Sequence, residues 1–219
     1  MDTSKIKKEI GTFAASLVTN RTIVGLGTGS TAHCFIESLA KRYREEKLQI
    51  RTCATSYTSE KLAKKLGLPV EPIESITHID VTFDGADEVD PKKNMIKGAG
   101  GALLREKIIA SASNELIILV DETKLVKRLG RRLLPVEVVP FGHHLTAQAM
   151  KALGYACRLR KNTDGTMYVT DNHNYIYDIA LNNACDSPKK LDGLLKRIPG
   201  VVETGFFFSC ATRLIVGYR

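Results

Sequence analysis

The sequence has no tryptophan, no paired-cysteine motif and no long apolar run. Its five cysteines are scattered and odd in number, which favours reduced thiols over a disulfide framework or a zinc site. No stretch approaches the roughly 18 apolar residues of a membrane-spanning helix. The opening segment MDTSKIKKEIG also lacks the apolar centre of a signal peptide. We therefore expect a cytoplasmic protein with no membrane partner.

Positive charge is in excess, with 32 Lys and Arg against 24 Asp and Glu, a net charge of +8. A positive surface attracts anions, so phosphorylated metabolites and nucleic acids are both compatible with it. The densest basic cluster is Lys124, Lys127, Arg128, Arg131 and Arg132. A solvated helix face and turn explain most of these residues. No helix-turn-helix, zinc finger or aromatic-rich basic strand accompanies them, so we expect no nucleic-acid partner.

Strand and helix patterns alternate along the first 130 residues. Short β-branched runs predict strands, and apolar residues at helical spacing predict helices between them. The predicted strands cover residues 22–26, 50–54, 69–73, 79–83 and 116–120, and the main helices cover 6–17, 32–39, 59–66 and 102–112. This alternation predicts an α/β fold with a doubly wound, mostly parallel, Rossmann-like sheet.

The pattern changes after Gly130. Strands at 134–139, 155–160, 174–180 and 201–205, with helices at 143–153 and 188–197, follow the order β-α-β-β-α-β. That order predicts a second, smaller ferredoxin-like α+β domain. A further predicted strand at 214–217 does not fit this four-stranded order, and we expect it to pair with the first sheet. The predicted domains are a Rossmann-like catalytic domain (1–130 plus 206–219) and a ferredoxin-like domain (131–205).

A glycine-rich loop, Gly25-Leu26-Gly27-Thr28-Gly29-Ser30-Thr31, lies between a predicted strand and helix. Glycines let the backbone approach an anion, and the N–H groups and dipole of the helix start favour phosphate. The third glycine falls too early for G-x-G-x-x-G, and the next strand ends in Thr-Ser instead of an acidic residue. No Gly-Lys-Ser/Thr follows either. The loop therefore favours a small sugar phosphate over a dinucleotide or ATP.

An acidic stretch, Asp84-Gly85-Ala86-Asp87-Glu88, follows the predicted strand at 79–83. In a parallel sheet this places it on the same carboxyl edge as the glycine loop. Taken alone, an exposed turn is the more ordinary interpretation, and a divalent cation is a second. The spacing does not fit a calcium loop, and no His or further Asp lies close by, so we expect no metal.

A second glycine loop, Lys97-Gly98-Ala99-Gly100-Gly101, leads into the predicted helix that carries Glu106. The helix neighbours of Glu106 are apolar, which would raise the pKa of a carboxylate and suit a general base. Arg105 and Lys107 also sit among apolar neighbours, so spacing does not choose among the three charges. Lys124 follows a predicted strand end and could reach a phosphate or be a surface lysine.

Together these segments resemble type A ribose-5-phosphate isomerase. The resemblance covers nearly the whole chain through TIVGLGTGST, TSYTSEKLAKKLG, VTFDGADEVD, MIKGAGGALLREKIIA, LPVEVVP and IPGVVETGFF. It implies an aldose–ketose isomerase that interconverts D-ribose 5-phosphate and D-ribulose 5-phosphate in the non-oxidative pentose phosphate pathway. It also implies that no metal or organic cofactor is needed and that the chain forms a homo-oligomer, with a homodimer expected.

The resemblance also implies roles for individual residues. Glu106 would be the proton-shuttling base, Asp84 and Asp87 would relay protons, and Lys97 would lie near the reacting oxygens. The residues implied to bind substrate are Thr28, Gly29, Ser30, Thr31, Asp84, Gly85, Ala86, Asp87, Lys97, Gly98, Ala99, Gly100 and Lys124. One departure is His173, in a turn where the family usually has glycine.

Two other classes of function fit parts of the pattern. A sugar-phosphate sensor on a similar fold would need a DNA-binding module, for which no residues are left over. An amino-sugar phosphate deaminase or a lactonase would share the phosphate loop, but the pair GADE and KGAGGALLREK argues against both. Conversion of ribose 5-phosphate would separate an isomerase from all of these.

Overall fold

The structure, a computed structural model, describes residues 3–181, 185 and 187–218. They form two compact units: the first holds the residues up to Ala86, Arg105–Leu125 and those from Cys210 onward, and the second holds Asp87–Leu104 and Val126–Ser209. In chain order the helices and strands are α1 (Thr3–Ser16), β1 (Thr22–Leu26), α2 (Ser30–Glu46), β2 (Ile50–Ala54), α3 (Tyr57–Lys65), β3 (Ile79–Gly85), β4 (Glu88–Val89), β5 (Met95–Ile96), α4 (Leu103–Ser111), β6 (Ser113–Asp121), β7 (Leu134–Val138), α5 (His143–Ala152), β8 (Cys157–Leu159), β9 (Tyr175–Ile179), α6 (Pro188–Leu195), β10 (Val201–Thr204), β11 (Phe206–Phe207) and β12 (Arg213–Gly217).

The first unit contains a five-stranded sheet in the order β12-β6-β3-β1-β2, and every neighbouring pair is parallel. This confirms the predicted doubly wound sheet. The extra strand near the C-terminus does return to it, because Arg213–Gly217 pairs with β6. Among the described residues no helix has the length and apolarity needed to cross a membrane.

The predicted strand at 69–73 is wrong. Val70 forms only an isolated bridge with Thr52, and a short 3-10 turn, Ile73–Ser75, follows. Pro69 and Pro72 have no N–H to donate to a strand ladder, which is why this segment does not extend the sheet.

The core of the first unit lies where α1 and α2 pack on the sheet. Ile6, Ile10 and Ala14 of α1 are buried at helical spacing. A side chain on Gly11 would lie 2.5 Å from the backbone carbon of Cys34, so this glycine lets the two helices approach closely. The Phe35 and Phe83 rings stack with centroids 4.4 Å apart.

The second unit contains a four-stranded antiparallel sheet in the order β10-β7-β9-β8. With α5 and α6 this is the predicted ferredoxin-like order, which is confirmed. A further three-stranded sheet, β11-β5-β4, was not predicted, since its strands are only two residues long. His173 has φ +61°, the left-handed conformation that glycine adopts most easily.

The predicted domain boundaries at 130/131 and 205/206 remain a prediction. By contacts, Asp87–Leu104 and the Phe206-Phe207-Phe208 run belong to the second unit. Residues 1, 2, 182–184, 186 and 219 of the predicted domains lie outside the described residues.

Candidate active site

The parallel sheet has a topological switch point at the carboxyl ends of β1 and β3. From β1 the chain runs through α2 to β2 on one side, and β3 lies on the other side of β1. Open α/β sheets bind ligands at such a point, outside the carboxyl ends of their strands. The first glycine loop leaves β1 here, and Asp84 is the penultimate residue of β3.

Asp84 and the first glycine loop are in direct contact. The Thr28 N–H donates to Asp84 Oδ1 at 3.0 Å, and the Gly85 N–H donates to the same oxygen at 2.7 Å. A side chain on Gly27 would lie 2.5 Å from Asp84 Cα and closer still to its carboxylate. Gly27 is therefore the residue that lets the loop approach the carboxylate, which is 1% exposed.

Hydroxyl groups of the segment after β2 form hydrogen bonds with the first glycine loop. Thr28 Oγ1 lies 2.7 Å from Thr55 Oγ1 and donates to Ser56 Oγ at 2.8 Å. Ser59 Oγ donates to the Gly27 carbonyl at 2.7 Å. In the sequence analysis the Thr-Ser pair after β2 served only as evidence against dinucleotide binding. In the structure it forms hydrogen bonds with Thr28.

The N-terminus of α2 follows this loop. Gly29 has a positive φ of +109°, which favours glycine, and no atom of the described residues lies within 4 Å of where its side chain would be. Ser30 is exposed and Thr31 is buried in the first turn of the helix. Their N–H groups are among those that a helix leaves without intrahelical acceptors, which suits an anion.

Sequence reasoning missed Lys7, whose Nζ donates to Ser30 Oγ at 2.9 Å. Burial alone would raise the pKa of Asp121, but hydrogen bonds from Thr123 and the charges of Lys124 and Lys7 lower it below its usual value. Both ammonium groups therefore lie near the carboxyl end of β6. Lys7 belongs to the run KIKK, and only tertiary contacts distinguish it from the more exposed Lys5 and Lys8.

The three charged residues of α4 differ in burial. Glu106 is 4% exposed, whereas Arg105 and Lys107 are half-buried. The guanidinium of Arg105 lies 4.2 Å from the centre of the Tyr57 ring. A carboxylate placed deep in an α/β unit is costly unless other groups support it, so its burial indicates a specific role.

In the second unit, Asp87 is joined to the second glycine loop. The Asp87 N–H donates to the Ile96 carbonyl at 2.9 Å, and the Ala99 N–H donates to Asp87 Oδ2 at 2.8 Å. Lys97 is 2% exposed, and its Nζ lies 5.5 Å from the centre of the Phe207 ring. The loop thus holds the Asp87 carboxylate through a backbone amide and also carries a buried cation.

The acidic stretch is not an exposed turn, because Asp84 and Glu88 are each 1% exposed. Glu88 accepts hydrogen bonds from the Gly130 N–H at 2.8 Å and from the Arg132 N–H. It fixes a distant chain segment, so its role is structural. Among the residues that the structure describes, no set of three or more His, Cys, Asp or Glu side chains is arranged to hold a metal.

The remainder of the basic cluster is solvated, as expected. Lys127, Arg128, Arg131 and Arg132 are exposed, whereas Lys124 is half-buried at the end of the 3-10 turn Glu122–Lys124. The structure therefore separates Lys124 from its basic neighbours, and places it just past the carboxyl end of β6.

The fold and the residues at its carboxyl edge fit a class: α/β enzymes with a parallel sheet that bind their ligands outside the carboxyl ends of the strands. Within this class, residues 51–219 match the family model of ribose 5-phosphate isomerase A, also called phosphoriboisomerase A. The chain belongs to this family, which confirms the resemblance found in the sequence motifs.

Curated relatives match over almost the full chain. The ribose-5-phosphate isomerase A of Protochlamydia amoebophila (strain UWE25) is 46% identical over 215 residues, 98% of this chain and 92% of the relative. That of Streptococcus agalactiae serotype III (strain NEM316) is 47% identical over 212 residues, 97% of this chain and 94% of the relative.

Solved structures agree with the same fold. Ribose 5-phosphate isomerase A from Methanocaldococcus jannaschii has a TM-score of 0.93 at 36% identity, covering 99% of this chain and 96% of its own. A D-ribose-5-phosphate isomerase in complex with phospho-erythronic acid has a TM-score of 0.95 at 36% identity, covering 100% of this chain and 96% of its own.

Proposed function

We propose that this chain interconverts D-ribose 5-phosphate and D-ribulose 5-phosphate through an enediolate, with Glu106 carrying the proton between carbons. Family membership supports the reaction, and the burial of Glu106 on α4 is the observation that carries its role. The relative solved with phospho-erythronic acid supports an enediolate, because a carboxylate places two oxygens on a planar carbon as that intermediate does.

The carbonyl moves from C1 to C2 when one base takes a proton from one carbon and returns it to the other. A carboxylate can do this from one face of the sugar, and such acid–base catalysis contributes on the order of 10²–10⁴-fold. Glu106 is assigned this proton because it is the buried one of three adjacent charges on α4.

The enediolate carries negative charge on oxygen, which requires a positive or hydrogen-bonding partner fixed beforehand. We assign this to Lys97 and to backbone amides of the second glycine loop other than that of Ala99, whose N–H is bonded to Asp87. A buried ammonium stabilises an anion more strongly than an exposed one, because little water screens it. Lys97 is 2% exposed.

A second proton must move between O1 and O2, and the furanose ring must open. We assign these steps to Asp84 and Asp87 together. Each carboxylate has an oxygen held by backbone N–H groups, from Thr28 and Gly85 for Asp84 and from Ala99 for Asp87. The held oxygen orients the carboxylate, which a proton relay needs.

The phosphate is assigned to the first glycine loop, from Thr28 to Thr31, with Lys124 as its cation. Lys7 is added to this set, because its ammonium donates to Ser30 Oγ. Like the charge of Lys124, the charge of Lys7 lowers the pKa of Asp121. Loop amides at a helix start and two lysines are the groups that bind a phosphate monoester.

We also infer a cytoplasmic homodimer that needs neither metal nor organic cofactor. The five cysteines are scattered and odd in number, which favours reduced thiols in a reducing compartment. Large apolar side chains on the second unit support self-association, since Phe141 is 94% and Leu145 is 60% exposed. Light scattering behind a sizing column would give the number of subunits.

The test is incubation of the purified chain with ribose 5-phosphate and detection of the ketose. Formation of ribulose 5-phosphate, and of ribose 5-phosphate in the reverse direction, is the expected result. Binding of the sugar phosphate without conversion would favour a sugar-phosphate sensor over an isomerase. Release of ammonia from an amino-sugar phosphate, or opening of a phosphorylated lactone, without pentose conversion would favour the related enzymes.

A further inference from the structure

Arg160, just past β8, is locked in place by Asp178 of β9. Arg160 Nε donates to Asp178 Oδ2 at 2.9 Å and Nη2 donates to Oδ1 at 2.5 Å, a bidentate pair. The two side chains are only 14% and 10% exposed. Such a pair fixes the plane of the guanidinium, so the direction of the remaining nitrogen is also fixed.

That remaining nitrogen binds the second glycine loop. Arg160 Nη1 donates to the Gly98 carbonyl at 2.9 Å and to the Ala99 carbonyl at 3.1 Å. Two consecutive peptide groups therefore turn their oxygens to one cation. Because both peptides are trans, their N–H groups point away from the guanidinium.

These two N–H groups have different partners. The Ala99 N–H donates to Asp87 Oδ2 at 2.8 Å. The Gly100 N–H donates to no residue in the described part of the chain. It points away from Arg160. The loop thus presents one donor that orients a proposed catalytic carboxylate and one donor available to a ligand.

Tyr168 fixes the next peptide. Its Oη donates to the Gly100 carbonyl at 3.1 Å, and its ring centre lies 5.7 Å from the Arg160 guanidinium carbon. Gly101 has φ +80°, and a side chain there would lie 2.5 Å from Tyr168 Cζ. The glycine therefore makes room for the ring against the loop.

We propose that Arg160, with Tyr168, is a positioning residue for the isomerisation. By holding the carbonyls of the loop, it orients the carboxylate of Asp87 through the Ala99 N–H. It also aims the Gly100 N–H at the oxygen that becomes negative in the enediolate. The inference rests on the proposed function, and Arg160 itself does not touch the substrate.

An arginine is required at this position for a geometric reason. Its planar fork binds the Asp178 carboxylate and two carbonyls at once, whereas the single ammonium of a lysine does not have donors in that arrangement. Arg160→Lys therefore keeps the charge and removes the alignment. Arg158, exposed on β8, is the matched control, because it has the same side chain two residues away and makes no hydrogen bond to the loop among the described residues.

The experiment compares the full chain with Arg160→Lys, Arg158→Lys and Tyr168→Phe. Steady-state kinetics on ribose 5-phosphate, inhibition by inorganic phosphate and melting temperature are measured for each. We expect kcat of Arg160→Lys to fall about 10- to 100-fold, as for a displaced catalytic group. KM and phosphate inhibition should stay within about twofold, because the phosphate is held by other residues.

Two further readouts separate positioning from structural support. Tyr168→Phe removes one donor and should lower kcat by about 3- to 10-fold while leaving the melting temperature nearly unchanged. Methylguanidinium added to Arg160→Ala should restore part of kcat, and should leave Arg158→Ala as it was.

The outcomes distinguish the inference from the proposed function. A wild-type chain that does not isomerise ribose 5-phosphate overturns both. An active wild type with Arg160→Lys equal to Arg158→Lys overturns the inference alone. So does a parallel change of kcat, KM and melting temperature without rescue by methylguanidinium. If the Arg160 variants do not fold, full kcat in Tyr168→Phe overturns it.

Discussion

Gly27→Ala is a sensitive probe of how the first glycine loop meets Asp84. The new Cβ would lie 2.5 Å from Asp84 Cα, and closer still to a carboxylate oxygen. Because Cα belongs to the backbone, a new side-chain rotamer cannot relieve this contact. The backbone of Gly27 does not have a positive φ, so the effect is steric and not conformational.

The required movement follows from ordinary contact distances. Non-bonded carbon atoms are in van der Waals contact at about 3.5 Å, so the loop and the end of β3 must separate by about 1 Å. That displacement breaks or weakens the bond from the Thr28 N–H to Asp84 Oδ1. A misplacement of about 1 Å at a reacting group costs on the order of 10²-fold in rate, and overpacking costs about 1–3 kcal/mol in stability.

The assay combines urea unfolding with steady-state kinetics on ribose 5-phosphate. Gly193→Ala is the matched control, because no atom in the described part of the chain lies within 4 Å of its added Cβ, and its helical position should gain about 0.5–1 kcal/mol in stability. We expect Gly27→Ala to fold with lower stability and to lose about 10²-fold in kcat. A kcat within about threefold of wild type would refute the coupling between loop and carboxylate.

Glu106→Gln keeps the side-chain shape and removes the proton acceptor, so kcat should fall about 10²-fold or more with KM little changed. A loss of less than about tenfold would assign the base elsewhere, with Asp84 next. Lys124→Ala should weaken phosphate binding by about 1.5–3 kcal/mol, read as KM and as inhibition by free phosphate, while Lys127→Ala serves as the exposed control. Unaltered KM and inhibition would make Lys124 a surface lysine. Dialysis against EDTA should leave full activity, because Lys97 already supplies a fixed positive charge. A hard cation would in addition require about six oxygen ligands. Activity that vanishes with chelator and returns with magnesium or manganese would make the aspartates metal ligands.

The fold could be predicted from the sequence where patterns are local. Alternating strands and helices predicted the parallel sheet, and one surplus strand at the C-terminus predicted its return to that sheet. The prediction of a strand at 69–73 was wrong because Pro69 and Pro72 have no N–H to donate to a strand ladder. The three-stranded sheet was missed because two-residue strands have no periodicity to detect.

The candidate site depends more on tertiary contacts. The spacing of the acidic stretch could not reveal that Glu88 is buried, because its N–H donors lie 42 and 44 residues away. Lys7 could not be singled out for a similar reason, since its partner Ser30 is 23 residues away. The choice of Glu106 over Arg105 likewise requires knowing which side of α4 is buried.

The most direct test of the central claim is isomerisation in D2O, with the ketose followed by proton NMR. After many forward and reverse turnovers, a carboxylate that carries a proton through an enediolate exchanges it with solvent. We therefore predict that wild-type chain introduces deuterium at C1 of ribulose 5-phosphate and C2 of ribose 5-phosphate, and that Glu106→Gln does so at least about 10²-fold more slowly. Ketose that forms without any deuterium would indicate a hydride shift and would contradict the role of Glu106.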